Sequence, residues 1–194
     1  HVDQEKEILE ITKLIEDKNY KTAGLELPEN YRDLESLCVQ YLVFSPLASI
    51  LEEQGIKVLP LDNDQLLQES AALGMAQYVL TKSPTLDAAL DGLIKKIEKY
   101  FQEERRLKQS FQAPELSGLV AVSRRLDMYQ RAFGLVEYNK LDDITKKLNE
   151  VYLKRESHMI RKIEKSKPDL IIVGTGHSKK ISSKYPIYDL KTLL

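Results

Sequence analysis

Tryptophan is absent from this 194-residue chain, and aromatic residues make up only 7% of it. Few rings are therefore available to stack on nucleic-acid bases. The formal net charge of -1 at pH 7 provides no general attraction to phosphate backbones either. The composition predicts no nucleic-acid partner.

Cysteine and long apolar runs are also scarce. Cys38 is the one cysteine in the sequence, which excludes an intrachain disulfide and a thiolate-rich zinc site and agrees with a reducing cytoplasm. No run approaches the roughly 18 apolar residues of a membrane-spanning helix, and no secretory signal is visible. We expect a cytoplasmic protein without a membrane segment. The sequence opens on His1 rather than methionine, which fits either residues lost upstream or the remnant of an expression tag.

Hydrophobic residues make up 42% of the chain and charged residues 30%, a balance typical of globular proteins. Three short apolar runs, at 23–27, 56–61 and 170–173, each follow a segment with helical periodicity. Gly55, between one such helix and the second run, is a helix stop signal. This alternation predicts an α/β fold with a parallel central sheet flanked by helices. We expect residues 1–194 to form a single domain.

The middle of the chain, from about 65 to 166, contains only helical periodicity. One helix carries an apolar stripe from Leu86 to Phe101 and a polar face dense in Lys, Arg and Glu. A calmodulin-like or membrane-surface helix would fit the stripe, but the mixed charge favours a solvated face. The pattern predicts a large all-helical insert between the second and last strands.

Polar residues and glycines follow each predicted strand. They are Glu26 with Arg32 beyond it, Asp62 with Asp64, and the stretch Gly174-Thr175-Gly176-His177. Parallel strands end on one edge of a sheet, where open α/β sheets bind their ligands. Gly174 and Gly176 permit a sharp turn or a close approach of the backbone to a ligand. The sequence therefore predicts a site at this edge.

The residue types at these ends suit two kinds of chemistry. His177, Glu26 and Asp62 could supply a mixed nitrogen and oxygen metal site, although the pattern by itself favours a structural or incidental role for His177. Glu26 lies in an apolar strand, where a buried carboxylate needs a partner. Arg32 could be that partner, in a functional or a purely structural pair. The stretch "GTGHSKK" does not match the phosphate-binding pattern G-x-x-x-x-G-K-[ST].

Helical spacing places Arg155, Met159 and Ile163 on one face. We expect this face to point inward and Arg155 to approach His177, with a snorkelling surface arginine as the alternative. His158, beside them, fits a helix-surface residue better than a metal ligand.

Two segments resemble the TraB/PrgY and TIKI group, which is distantly related to the erythromycin-esterase and ChaN-like proteins. The stretch "HVDQEKEILEITKLIEDKNYKTAGLELPENYRDLESL" is similar to the family's opening pattern, from the histidine of its first G-x-x-H onward. His1, Glu26 and Arg32 take the positions of the family histidine, glutamate and arginine. The stretch "IKVLPLDND" is similar to the next family strand, which ends in an acidic motif at Asp62 and Asp64.

Two further motifs follow in family order. The stretch "LKRESHMIRKI" resembles the E-R-[ND]-x-x-M helix, with Arg155 and Met159 on matching positions and Lys154 in place of the motif's glutamate. The stretch "IIVGTGH" resembles the second G-x-x-H, which assigns Gly174 and His177 to it. The resemblance covers both ends of the chain, while the helical middle matches in character alone.

The resemblance implies a metal-dependent hydrolase that acts on peptides, as a peptidase or in the shutdown of a peptide pheromone. A divalent metal (Mn, Co or Zn) would be held by His1, Glu26 and His177. Catalysis would fall to Glu26, Arg155 and His177, and substrate contacts to Arg32, Asp62, Gly174 and Gly176. The alternative is a catalytically inactive protein of the same fold that binds a peptide or small ligand. The sequence is also compatible with a homodimer.

Overall fold

In the described part of the chain, two strands precede a run of four helices and one strand follows it. The computed structural model describes residues 11–13, 15, 18–29, 31, 44–109, 116–174, 177, 181, 183 and 185. The elements are β1 (Thr22–Pro28), α1 (Phe44–Glu53), β2 (Lys57–Asp62), α2 (Asp64–Lys82), α3 (Leu86–Gln109), α4 (Leu116–Tyr138), α5 (Leu141–Ser166) and β3 (Leu170–Ile172).

The three strands form one parallel sheet in the order β2-β1-β3. The predicted runs at 23–27, 56–61 and 170–173 are therefore strands of one sheet, and the expected α/β fold is confirmed. Helix α1 packs on β1 and β2. Among the described residues between β2 and β3, all regular structure is helical, which confirms the predicted insert.

Two compact units make up the chain. The first contains His1–Glu29, Gln40–Asn63 and Arg155–Leu194, and the second contains Asn30–Val39 and Asp64–Lys154. The first unit holds the sheet and a core that consists of Leu61, Met159, Ile160, Ile163 and Ile181. These side chains come from β2, α5 and the segment after β3, so the C-terminal half of α5 is fixed by apolar packing within this unit.

The second unit packs its helices around a core of its own. That core consists of Leu73, Ala76, Ala89, Leu93, Ala132, Val136, Ile144, Leu148 and Val151. Asp64, in the first turn of α2, receives two hydrogen bonds from the guanidinium of Arg124 on α4, at 3.1 and 3.3 Å. The apolar stripe of α3 is only partly covered, since Leu93 is buried while Phe101 is 48% exposed.

None of the helices in the described parts of the chain is both long enough and apolar enough to cross a membrane.

The start of β1 is tied to the start of β3 by Asp169. Its carboxylate accepts hydrogen bonds from the backbone N–H groups of Lys21 (2.9 Å) and Thr22 (3.0 Å) and from Thr22 Oγ1 (3.1 Å). In return, the Asp169 N–H donates to Thr22 Oγ1 at 3.0 Å. These bonds, first of all the one from the Lys21 N–H, lower the pKa of Asp169 below its usual range.

Because this pKa is lower in the folded state, Asp169 stabilises the fold above the unfolded pKa of about 4 and loses that effect as the pH falls through the folded value. We expect Asp169→Asn to unfold at lower urea concentration than the wild type at pH 7 and pH 5, with the difference shrinking below pH ~4. Asp91→Asn, at an exposed position in α3, is the control and should show a small difference at every pH. A gap between wild type and Asp169→Asn that widens on acidification would contradict this assignment.

Helix α1 ends at Glu53, two residues before Gly55, which the sequence marks as a stop signal. The φ angle of Gly55 is +77°, and its N–H donates to the Glu52 carbonyl at 3.0 Å. A left-handed conformation costs a residue with a Cβ about 1–2 kcal/mol. The glycine therefore closes the helix without strain.

We expect Gly55→Ala to lower the free energy of unfolding by about 1 kcal/mol. Gly92→Ala is the matched control, because Gly92 lies inside α3 with open space around its Cα. That change should raise the free energy of unfolding by up to about 1 kcal/mol through helix propensity. Urea titrations measure both, and equal effects of the two substitutions would show that the φ of Gly55 does not matter.

Candidate functional site

The carboxyl ends of the three strands bring the predicted site residues to one edge of the sheet. Glu26 lies near the end of β1, Asp62 is the last residue of β2, and Gly174 follows β3 by two positions. The pairing of β1 with β2 shifts between Leu25 and Pro28, where β1 has one residue more than β2. Glu26 lies in this bulge, and bulges re-aim side chains beside functional sites.

Arg155 on α5 reaches both carboxylates from the neighbouring strands. Its Nε donates to Asp62 Oδ1 at 3.2 Å, and its Nη2 donates to Glu26 Oε1 at 3.1 Å and to Asp62 Oδ2. Arg155 is 5% exposed, and Met159 and Ile163 on the same helical face are buried in the core. The predicted inward face of α5 is therefore confirmed, and a snorkelling surface arginine is wrong.

Asp62 is fully buried. Its Oδ1 also accepts the N–H of Asn63 at 2.8 Å, in addition to its bonds from Arg155. A buried carboxylate is tolerated when it is paired and hydrogen-bonded in this way. The sequence assigned Asp62 to substrate contacts, whereas its contacts in the structure hold Arg155 in place.

Glu26 is held at both oxygens. Oε1 accepts from Arg155, and Oε2 accepts the N–H of Gly174 at 2.7 Å. A Cβ added at Gly174 would lie 3.1 Å from Glu26 Oε2. Because Gly174 has no side chain, the carboxylate of Glu26 can approach the backbone closely. The sequence predicted a close approach here, but by a ligand.

His177 completes the cluster. Its N–H donates to the Gly174 carbonyl at 2.9 Å, a turn that brings the imidazole back over the end of the sheet. The ring is buried, with Nε2 3.5 Å from Glu26 Oε1 and Nδ1 3.8 Å from Glu156 Oε1. Each ring nitrogen thus faces a carboxylate, and both contacts are longer than a good hydrogen bond.

Glu156 is the one member of this cluster that sequence reasoning missed. It follows Arg155 on α5, and its side chain is 13% exposed. A signal was present, because Ile160 lies four residues further along the helix and is buried. Residues four apart share a helical face. The buried face of α5 therefore includes Glu156 and Ile160 as well as the predicted row from Arg155 to Ile163.

Three residues of the predicted site, His1, Arg32 and Gly176, lie outside the described residues. His158 is half-buried on α5 rather than fully exposed. Partial burial lowers the pKa of His158, and the positive charges of Lys162 and Arg161 lower it further. His158 is therefore neutral at pH 7.

The described residues do not fit the divalent metal that the resemblance implies. In this part of the chain, no group of three His, Cys, Asp or Glu side chains is arranged to hold a metal ion. Both oxygens of Glu26 are already bonded to Arg155 and to the Gly174 amide. The third donor of the predicted set, His1, is not among the described residues.

The contact between Gly174 and Glu26 generates a test. Gly174→Ala should push the Glu26 carboxylate away from its N–H donor and lower the free energy of unfolding by about 1–3 kcal/mol, the usual cost of overpacking. In a Glu26→Ala background the clash is gone, so the same change should cost much less. A double-mutant cycle from urea unfolding gives the coupling between the two positions. If the effects of the two substitutions are additive, the close contact at Glu26 Oε2 does not contribute to the loss of stability in Gly174→Ala.

Comparison with known proteins found no matching family model, no matching curated protein and no matching solved structure. The resemblance to the TraB/PrgY and TIKI group therefore stays a prediction from short motifs. A functional conclusion has to rest on those motifs and on the geometry of the cluster formed by Glu26, Asp62, Arg155, Glu156 and His177, here called the edge cluster.

Proposed function

We propose that the chain is a hydrolase of the TraB/TIKI type that acts on peptides. The observation that carries the proposal is the contact between Glu26 and His177 at the carboxyl edge of a parallel sheet. A carboxylate held in place beside a buried imidazole is the arrangement that hydrolases use to orient a general base. The order of the motifs along the chain supports the same reading.

In this proposal His177 is the general base. Its Nε2–H faces Glu26 Oε1 at 3.5 Å, which leaves Nδ1 as the nitrogen that accepts a proton. Nδ1 is buried beside Glu156, so the attacking water reaches it when the Glu156 side chain moves aside. This water loses a proton to the imidazole as its oxygen attacks the peptide carbonyl carbon. The imidazolium then returns the proton to the leaving amine.

Arg155 acts through Glu26 rather than on the substrate. Two of its nitrogens are bonded to Asp62 and Glu26, so its guanidinium fixes the carboxylate that orients His177. This differs from the oxyanion role that the resemblance suggests for Arg155. Arg32 keeps the predicted role of a substrate contact. No step passes through a metal, because the described donors do not fit one.

A binding protein of the same fold is the second candidate. The observation that favours it is the burial of the edge cluster, in which Asp62 is 0%, Arg155 5%, His177 5% and Glu26 8% exposed. Side chains this buried can shape a peptide-binding or small-ligand-binding cleft as an ion network without touching the ligand, whereas a catalytic group has to reach the substrate. Lys154 at the position of the motif's glutamate also favours this candidate.

Incubation of the purified protein with a diverse pool of synthetic peptides, followed by mass spectrometry, separates the two candidates. We expect cleavage of a subset of the pool. His177→Gln should lower kcat about 10²-fold or more, the usual contribution of a general base. His158→Gln is the matched control, since His158 is a neighbouring half-buried histidine on α5, and it should keep most of the turnover.

Folding of each variant is checked by circular dichroism before its rate is interpreted. Turnover by a folded His177→Gln protein at the wild-type rate would remove His177 from catalysis. Retention of peptides without cleavage, measured by equilibrium dialysis, would favour the binding protein.

A further inference from the structure

Two carboxylates from adjacent strands meet a single guanidinium in the edge cluster. We propose that Arg155 is the built-in cation of this site. It takes the place between Glu26 and Asp62 that a divalent metal would occupy, so the wild-type chain binds no divalent ion through these two carboxylates. Removal of the guanidinium leaves the carboxylates of Glu26 and Asp62 open to a divalent ion, with His177 beside Glu26.

The first support is the position of Nη2. This one nitrogen contacts both Glu26 Oε1, at 3.1 Å, and Asp62 Oδ2. His177 Nε2 lies 3.5 Å from the same Glu26 oxygen. Two carboxylates and an imidazole are donor types that Mn²⁺, Co²⁺ and Zn²⁺ accept. The two carboxylates therefore meet at Arg155, and the imidazole lies beside one of them.

The second support is electrostatic. A metal ion lies about 2 Å from a carboxylate oxygen, so an ion bound to Glu26 Oε1 would come within about 5 Å of Nη2. Arginine keeps its proton at any relevant pH, and like charges repel strongly where water is excluded. Arg155 would have to leave before such an ion could bind.

The third support is the burial of the arginine. The Arg155 side chain is 6% exposed, and the Asp62 side chain is fully buried. Moving the guanidinium out would take its positive charge away from two buried carboxylates, which is strongly unfavourable. The arginine is therefore held in the site more firmly than a surface side chain, and a metal ion in solution does not displace it.

This inference concerns the same cluster as the proposed function but does not need the chain to be a hydrolase. It is read out through metal affinity and folding, so a catalytically silent protein tests it equally well. If the protein cleaves peptides but fails the metal test, the hydrolase proposal stands and this inference falls. If it passes the metal test but cleaves no peptide, this inference stands and the hydrolase proposal falls.

The experiment compares wild type, Arg155→Met and Arg155→Lys, all freed of any polyhistidine tag. Calorimetry with Mn²⁺, Co²⁺ and Zn²⁺ measures affinity, and visible absorption of Co²⁺ reports its coordination. Arg155→Met should bind Co²⁺ at least tenfold more tightly than wild type. Arg155→Lys keeps a positive charge between the carboxylates and should resemble wild type.

Arg124→Met is the matched control. Arg124 also donates two hydrogen bonds to one carboxylate, that of Asp64, but at a partly exposed position. Its removal should produce no gain in Co²⁺ affinity. A gain of similar size in Arg124→Met would show that any lost arginine exposes a weak cation site, and it would overturn the special role of Arg155.

Arg155→Met has lost a buried charge partner and can fail to fold without metal. In that case, Co²⁺ should restore its near-ultraviolet circular dichroism, and Glu26→Gln in the same background should abolish both the recovery and the binding. Neither binding nor recovery in Arg155→Met would overturn the proposal. The wild-type protein provides a further test. If it binds metal and Glu26→Gln weakens that binding, the proposal is overturned. If Glu26→Gln leaves the binding unchanged, the metal is bound elsewhere, which agrees with the proposal.

Discussion

The guanidinium of Arg155 between Asp62 and Glu26 is the interaction on which the rest of the site depends. It joins α5 to the ends of β1 and β2, three elements that are far apart along the chain. Buried charges are tolerated when each has its partner, and loss of one partner leaves the others uncompensated. The inward face of α5, the adjacency of β1 and β2 and the direction of the Glu26 side chain are therefore coupled to one another.

A second chain of contacts starts from Glu26 and leads to the imidazole. The Gly174 amide holds one oxygen of Glu26, and the Gly174 carbonyl accepts the N–H of His177. The same short segment after β3 thus fixes a carboxylate and the histidine beside it. Backbone bonds and a buried ion pair therefore position both groups before any ligand binds. The proposed function depends on such preorganisation.

The division of the chain into two units places this chemistry in one of them. Glu26, Asp62, Arg155 and His177 all belong to the unit that contains the sheet. The other unit builds an apolar core from its own helices and anchors α2 to α4 through Asp64 and Arg124.

Local patterns in the sequence determined the elements themselves. Apolar runs marked the three strands, periodicity marked the helices and the inward face of Arg155, and Gly55 marked the end of α1, because each depends on the nearest few residues. The strand order β2-β1-β3 and the partners of Glu26 were decided by the tertiary structure. A nearby arginine, Arg32, was the partner that the sequence offered, whereas the described partner is Arg155, 129 positions away. Periodicity carries no information on which distant elements meet, so the contact of Gly174 with Glu26 also became visible only in the tertiary structure.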